Sequence, residues 1–231
     1  MRLWRSWGSG WIVRFGHRRW ICGSASWSCH LKKTVCAAEQ DRPDVAEKRA
    51  HWPENFLAIK TEDLVFIDES GANTKMARLR GRAPKNKRLV CKIPFGHYHS
   101  NTMIAAIGLS GPFAEELLDG AMNGPRFLKW VNEKLVPKLQ KGKLVIMDNL
   151  ATHKVKGVRE AIEKIGAGLL YLPPYSPDFN PIENMWSKVK NHLRSSAPRT
   201  FDELLLASKN AIASITASDA KGFFLNAHYS I

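Results

Sequence analysis

From residue 64 onward, short dense apolar runs alternate with stretches of helical spacing. LVFID (64–68), TMIAAIGL (102–109), KLVIMD (143–148) and GLLYL (168–172) are short and rich in β-formers, so each is predicted as a buried strand. Between the second and third runs, Gly124–Pro125 opens a helix in which Phe127, Leu128, Val131, Leu135 and Leu139 share one side. Val155, Val158, Ile162 and Ile165 make a second amphipathic stripe, stopped by Gly166 and Gly168. A further helix is expected to begin near Pro181, a residue favoured in a first turn, with Asn180 as its N-cap. Thr200 and Glu203 form a capping box for a last long helix carrying Phe201, Leu204, Leu205, Ser208, Ile212 and Ile215 on one face. This order predicts an α/β fold in one domain, a mixed central sheet flanked by helices. The stripes themselves are core and carry no chemistry.

Upstream the texture differs. Residues 38–52 are mixed in charge and read as a solvated helical connector. The first 33 residues hold five tryptophans, seven Lys or Arg and no acid, without helical or strand periodicity. Arg14 interrupts the one apolar stretch and no small-residue cleavage site follows, so a targeting peptide does not fit. Residues 1–30 are expected to be an unpatterned basic, Trp-rich leader from a shifted or truncated reading frame; the competing reading is a Trp/Arg arm that binds nucleic acid. The expected organisation is that leader, a helical connector at 31–55, a catalytic domain at 56–220 and a C-terminal tail at 221–231.

Composition narrows the partner. Of 231 residues 44% are apolar and no run approaches the length of a membrane span, which excludes a spanning or wholly disordered chain. Lys and Arg number 35 against 21 acids, a formal charge of +14, which points to a polyanion and first to nucleic acid. Residues 70–114 contain no acid, while 75–92 carry eight Lys or Arg. In that stretch Arg78, Arg80 and Arg82 alternate, so on a strand they would share a face; with Lys85, Lys87 and Arg88 they form the candidate DNA track, supplemented by Lys188 and Lys190. The cysteines at 22, 29, 36 and 91 lack a CxxC pair and read as free thiols in a reducing cytoplasm; zinc bound with His17 or His30 is the minor alternative.

The chemistry lies in three acids. Asp68 and Asp148 each close an apolar run, which delivers a carboxylate to the rim of the sheet, where open α/β sheets bind ligands. Glu183 falls in the first turn of the helix after PPYSPDFNP, placed to face the same rim. Three carboxylates without Cys or His ligands suit Mg²⁺ or Mn²⁺, and a pair of ions about 4 Å apart would clamp both oxygens of a phosphodiester during in-line displacement. Taken singly, each acid also fits a turn, N-cap or first-turn role. Asp178 is the rival third acid, although Asp in such a turn commonly bonds its own backbone. Glu69 is expected on the sheet face opposite Asp68.

IDES around Asp68, MDNLATH at 147–153 and LPPYSPDFNPIENMWSKVK at 172–190 together resemble the catalytic core of DDE transposases, in particular the bacterial insertion-sequence branch of the Tc/mariner superfamily. Thirty-four residues separate the second acid from the third, the spacing that the resemblance leads one to expect. It implies an RNase H-like fold in which Asp68, Asp148 and Glu183 are the catalytic, metal-binding triad for two Mg²⁺ or Mn²⁺ ions. It also implies hydrolysis and strand transfer at the terminal inverted repeats of an element, a homo-oligomer on DNA, target DNA as second substrate, and a cytoplasmic, nucleoid-associated protein with no membrane contact. Asn149 and His153 then belong to the motif after the second acid, with His153 steering the site or contacting DNA phosphates; a histidine on a solvated helix start is the bland alternative. Asn184 and Trp186 complete the third block, Trp186 as core. The helix-turn-helix modules usual upstream in this superfamily are absent from the leader, so end recognition and unaided transposition by this copy are not expected. A non-catalytic DNA-binding remnant and a cellular RNase H-type nuclease are the other readings.

Overall fold

In the computed structural model, the described residues are 4–5, 11–12, 37–56, 59–78, 80–90, 92–93 and 98–231. All four cysteines, the zinc arrangement weighed for them and most of the leader lie outside these residues. The chain divides into two units, Met1–Ala37 and Ala38–Ile231. In the first, β1 (Trp4–Arg5) and β2 (Trp11–Ile12) pair antiparallel.

The second unit is built on a five-stranded sheet ordered β5-β4-β3-β6-β7. Its centre is β3 (Leu64–Asn73), antiparallel to β4 (Ser100–Gly108) and parallel to β6 (Leu144–Met147). Beyond them lie β5 (Gly111–Asp119), antiparallel to β4, and β7 (Gly168–Tyr171), parallel to β6. The four strands expected from the apolar runs are all present, and β3 extends five residues beyond its apolar stretch because DESGAN pairs with β4. The fifth, β5, has no counterpart among the expectations. It is an edge strand whose half-exposed positions mix two Glu with apolar residues, and Pro112 near its start is tolerated only at an edge.

Side-chain alternation on β3 sends Phe66 to one face and Val65 and Ile67 to the other, giving two cores. Over Phe66 and Ile146 pack α4 (Pro181–Ser196), α5 (Phe201–Ala213) and α6 (Ala217–Asn226). Over Ile67 and Met147 pack α2 (Gly124–Trp130) and α3 (Val158–Lys164). The helix expected to run on to Leu139 changes to a π turn at Val131–Leu135 and a 3₁₀ turn at Val136–Lys138, where Pro137 removes a backbone donor. The α3 start needs Gly157, at φ +100°, whose N–H donates to Glu160 Oε2 at 2.8 Å.

Thr200 and Glu203 form the expected capping box, with Glu203 N donating to Thr200 Oγ1 at 3.2 Å. The last long helix, however, is two. A second box, Thr216 with Asp219, starts α6, which runs through residue 221 where a tail was expected. Phe224 is fully buried against Phe66, so this end of the chain closes the core. The connector is helical, as α1 (Pro43–His51), and ends on buried Trp52, whose indole N–H donates to Tyr229 Oη at 3.1 Å. Arg78, Arg80 and Arg82 are exposed but lie on irregular chain rather than a strand, so they share no strand face. Among the described residues, no helix is long and apolar enough to cross a membrane.

Candidate active site

Parallel pairing of β3 with β6 sets Ile67 opposite Met147, so Asp68 and Asp148 are the next residues along two neighbouring strands. Adjacent strands lie about 4.8 Å apart, which brings the two carboxylates to the same rim at the same height. The third acid arrives by packing. Ile182, Met185 and Trp186 bury one face of α4 on the Phe66 side of the sheet, and that seats Glu183, in the first turn, over the ends of the strands. Asp68, Asp148 and Glu183 line one cleft of about 460 Å³, together with Asn149, Leu150 and the Pro173–Pro174 turn. A second hollow of about 650 Å³ adjoins it, sharing Asn149 and the same prolines and reaching α1. A third, about 590 Å³ and lined by Lys138, Lys143 and Lys221, contains none of the acids. The acid-lined cleft is the candidate for chemistry, because two of its carboxyls, Asp68 and Glu183, are held away from their ordinary behaviour.

Burial pushes the Asp68 carboxyl up to about 8, and the charges of Glu183, Asp148 and Glu69 add to the rise. Glu183 is also raised by burial, opposed by Lys190 and reinforced by Asp148. Like charges crowded in one half-exposed cleft call for a cation. Among the described residues no three Asp, Glu, His or Cys side chains converge tightly enough, as they lie, to enclose a metal ion. Asp148 Oδ1 takes the Leu150 N–H at 3.1 Å and His153 Nδ1 at 2.6 Å, leaving Oδ2 for a ligand. The donor set itself fits a hard divalent cation: carboxylate oxygens alone, in one cleft, with a raised pKa that a cation would bring down.

His153 lies elsewhere than expected for a DNA contact. It is completely buried and cannot reach a phosphate at the surface. Its ring packs on Phe127 at 4.4 Å between centroids, and its Nε2 is 3.1 Å from Glu69 Oε1. Burial alone would lower its pKa, but hydrogen bonds to Asp148 and Glu69 overcome this and raise it to about 9. The result is a Glu69–His153–Asp148 chain that runs from one face of the sheet to the acidic rim. Glu69 does face away from Asp68, as alternation requires. Its link to His153, 84 residues away, has no local sequence signal except that His closes the motif opened by Asp148.

The PPYSPDFNP turn is clamped by the connector. Arg49 makes a two-pronged pair with Asp178 at 2.6 and 3.0 Å, donates to Ser176 Oγ at 2.7 Å and lies over the Phe179 ring at 4.5 Å. Asp178 is thereby neutralised outside the cleft and is not the third acid. Its pKa falls because Arg49 outweighs the effect of burial. A depressed carboxylate adds stability above its unfolded value that is lost as pH falls through the folded one. Arg49→Ala is expected to cost about 1–2 kcal/mol, given the partial exposure of Asp178, and to loosen the turn, read by urea unfolding and by proteolysis within residues 173–180.

Of the remaining predicted residues, Asn149 is exposed on the cleft, Asn184 is half-buried, and Trp186 is core at 1% exposure. Lys85, Lys87 and Arg88 are exposed on the same irregular segment as the three arginines. Lys190 is half-buried near Glu183, whereas Lys188 is paired with Asp219 at 2.7 Å on α6. Asn180 starts α4 without making a side-chain cap, and its Oδ1 is buried on the wall of the cleft with no hydrogen-bond partner among the described residues.

A family model described as DDE superfamily endonuclease matches residues 63–205. The chain is 39% identical over 61 residues to the transposable element Tcb2 transposase of Caenorhabditis briggsae, 25% of this chain and 22% of that protein. Its fold is similar to that in a pre-cleavage Mos1 transpososome, with a TM-score of 0.66 and 14% identity over 89% of this chain and 64% of that one. It is similar also to the mariner Mos1 paired end complex with Mg, with a TM-score of 0.61 and 15% identity over 88% of this chain and 64% of that one. This chain thus spans about a fifth of the curated relative it matches, and under two thirds of each of these solved chains.

Proposed function

The chain belongs to the DDE superfamily endonucleases, and from that premise we propose that it is the catalytic part of a DNA transposase of the bacterial insertion-sequence branch of the Tc/mariner superfamily. Its reaction is phosphodiester hydrolysis at the ends of an element, followed by joining of the freed 3′-hydroxyls to target DNA. The observation that carries this reading is the meeting of Asp68, Asp148 and Glu183 in one cleft, delivered by two parallel strands and the first turn of α4. The branch assignment rests on the IDES, MDNLATH and LPPYSPDFNPIENMW blocks.

The three acids would hold the ions, as a pair of Mg²⁺ or Mn²⁺. Such ions supply Lewis-acid stabilisation of phosphoryl oxygens and lower the pKa of a bound water or 3′-hydroxyl. The chain's own groups do the rest. The Leu150 N–H and His153 hold the Asp148 carboxylate in a set orientation. Asn149 presents a polar side chain at the cleft, and Lys190 lies near Glu183 to offset charge. The exposed Arg78, Arg80, Arg82, Lys85, Lys87 and Arg88 neutralise DNA phosphates without reading sequence. The likeness to Mos1 transposase in a paired-end complex with left transposon end and in a paired end complex with Mg supports DNA ends and a divalent metal as partners; a homo-oligomer on DNA belongs to the same reading.

A supercoiled plasmid and an end-containing duplex, incubated with Mn²⁺, test the reading. Nicking or strand transfer by wild type that vanishes in Asp148→Ala is the expected result. Equal activity in both proteins, or none in either, overturns it in favour of a DNA-binding remnant.

A further inference from the structure

Among the described residues, Tyr175 is the one large aromatic residue on the wall of the acidic cleft, and its setting is unusual in three respects. Its backbone is left-handed, with φ +55°, a conformation that bulky side chains seldom adopt. That conformation is held from outside: the Tyr175 carbonyl accepts from Gln40 Nε2 at 2.6 Å and from Arg49 Nη1 at 3.5 Å, both on the connector. The ring is 46% exposed, and no aromatic ring or cation among the described residues stacks on it. Leu150, 52% exposed, lines the same cleft beside Asp148. Two water-exposed apolar side chains thus share a small cleft with three carboxylates. Neither contributes to a core, and the strained one is pinned by contacts reaching across more than 120 residues. Strain maintained by surrounding structure is a mark of function.

We propose that Tyr175 is a stacking platform for the face of an unpaired nucleobase adjoining the phosphate that the three acids engage. The inference rests on the nucleic-acid reading above and adds a substrate feature to it. A base within a duplex offers no free face, so the nucleotide next to the reacting phosphate leaves its stack and lies on the ring, with Leu150 as an apolar neighbour. The platform is indifferent to base identity, since every base has a π-face, but not to the presence of a base.

The test uses the full chain with Mn²⁺ and duplexes carrying, beside the cleavage position, an unpaired 2-aminopurine or an abasic nucleotide. Wild type is expected to cleave the base-containing substrate about tenfold or more faster than the abasic one. Tyr175→Gly suits the left-handed backbone and so removes the ring without disturbing the turn. It is expected to act on both substrates at the slow rate, while Tyr175→Phe keeps the preference. Quenching of 2-aminopurine fluorescence on binding, measured without cleavage, is expected in wild type and Tyr175→Phe and not in Tyr175→Gly. If Tyr175→Gly retains the preference and the quenching, or Tyr175→Phe loses them, the platform is refuted. Should wild type quench in a Tyr175-dependent way yet never cleave, the platform stands and the nuclease reading falls. Cleavage that depends on Asp148 but shows neither signal leaves the nuclease and removes the platform.

Discussion

Asp68→Asn is expected to abolish Mn²⁺-dependent nicking, by about a thousandfold or more, while making the metal-free protein more resistant to heat at alkaline pH. The two effects have one cause. Burial and three neighbouring acids push the Asp68 carboxyl up to about 8, so the fold favours its protonated form. A group whose folded pKa is raised contributes stability that is complete below its unfolded value, and that contribution is lost as pH climbs through the folded one. Between about pH 5 and about pH 9 the metal-free wild type therefore loses stability that Asp68→Asn does not lose. A divalent cation reverses the sign, because it binds the ionised form and brings the carboxyl's pKa down. Melting curves at both pH values, with and without Mn²⁺, are the measurement. Wild type is expected to gain from Mn²⁺ at the higher pH and much less at the lower, with proton release on binding, whereas the variant gains little at either. A variant that melts like wild type under all four conditions would mean that Asp68 does not bear the charge conflict.

The second large effect is expected at the buried chain behind Asp148. Glu69→Gln keeps shape and a hydrogen-bond acceptor for His153 but removes one of its two counter-charges. Outer partners of a metal ligand are worth about 10–100-fold in affinity or activity. Nicking is expected to fall by that factor, with a matching rise in the Mn²⁺ concentration needed for half-maximal rate and little change in DNA affinity. His153→Ala is harsher. It removes a fully buried ring from between Asp148 and Glu69 and leaves Glu69, whose side chain is only 15% exposed, without its cation. Stranding a buried partner in this way costs about 3–5 kcal/mol, which urea unfolding reads directly. Glu69→Gln activity equal to wild type across the metal titration would reduce the chain to a packing feature. A fall in DNA affinity of the same size as the fall in rate would instead restore His153 and its neighbours to a DNA-binding role.

How much of this was legible beforehand depended on how local each feature is. The four buried strands, the capping box at Thr200 and the helix start at Pro181 are written in runs of ten residues or fewer, where periodicity and turn chemistry act. The triad shares that property. Asp148 and Glu183 stand at element boundaries and Asp68 just past the last β3–β6 pair, and the rule that parallel strands offer their carboxyl ends to ligands carries Asp68 and Asp148 to one rim. The edge strand β5 lacked a clean pattern because half of its surface faces water. The C-terminal helix was hidden because its capping box, Thr216 with Asp219, directly follows the apolar stripe of α5 and blurs the break between them.

The sequence by itself determined the composition of the candidate site: three carboxylates, an oxygen-only donor set and a strongly basic chain around them. Tertiary structure alone decided how those groups are held. Glu69 meets His153 across 84 residues, Arg49 meets Asp178 across 129, and Tyr175 is bent into its pose by a connector 135 residues upstream. Propensity and periodicity act over one turn or one strand, so they announce elements and their ends. Pairings of this kind depend on strand register, the path of loops and the fit of a helix face, quantities that exist only once the whole chain has packed.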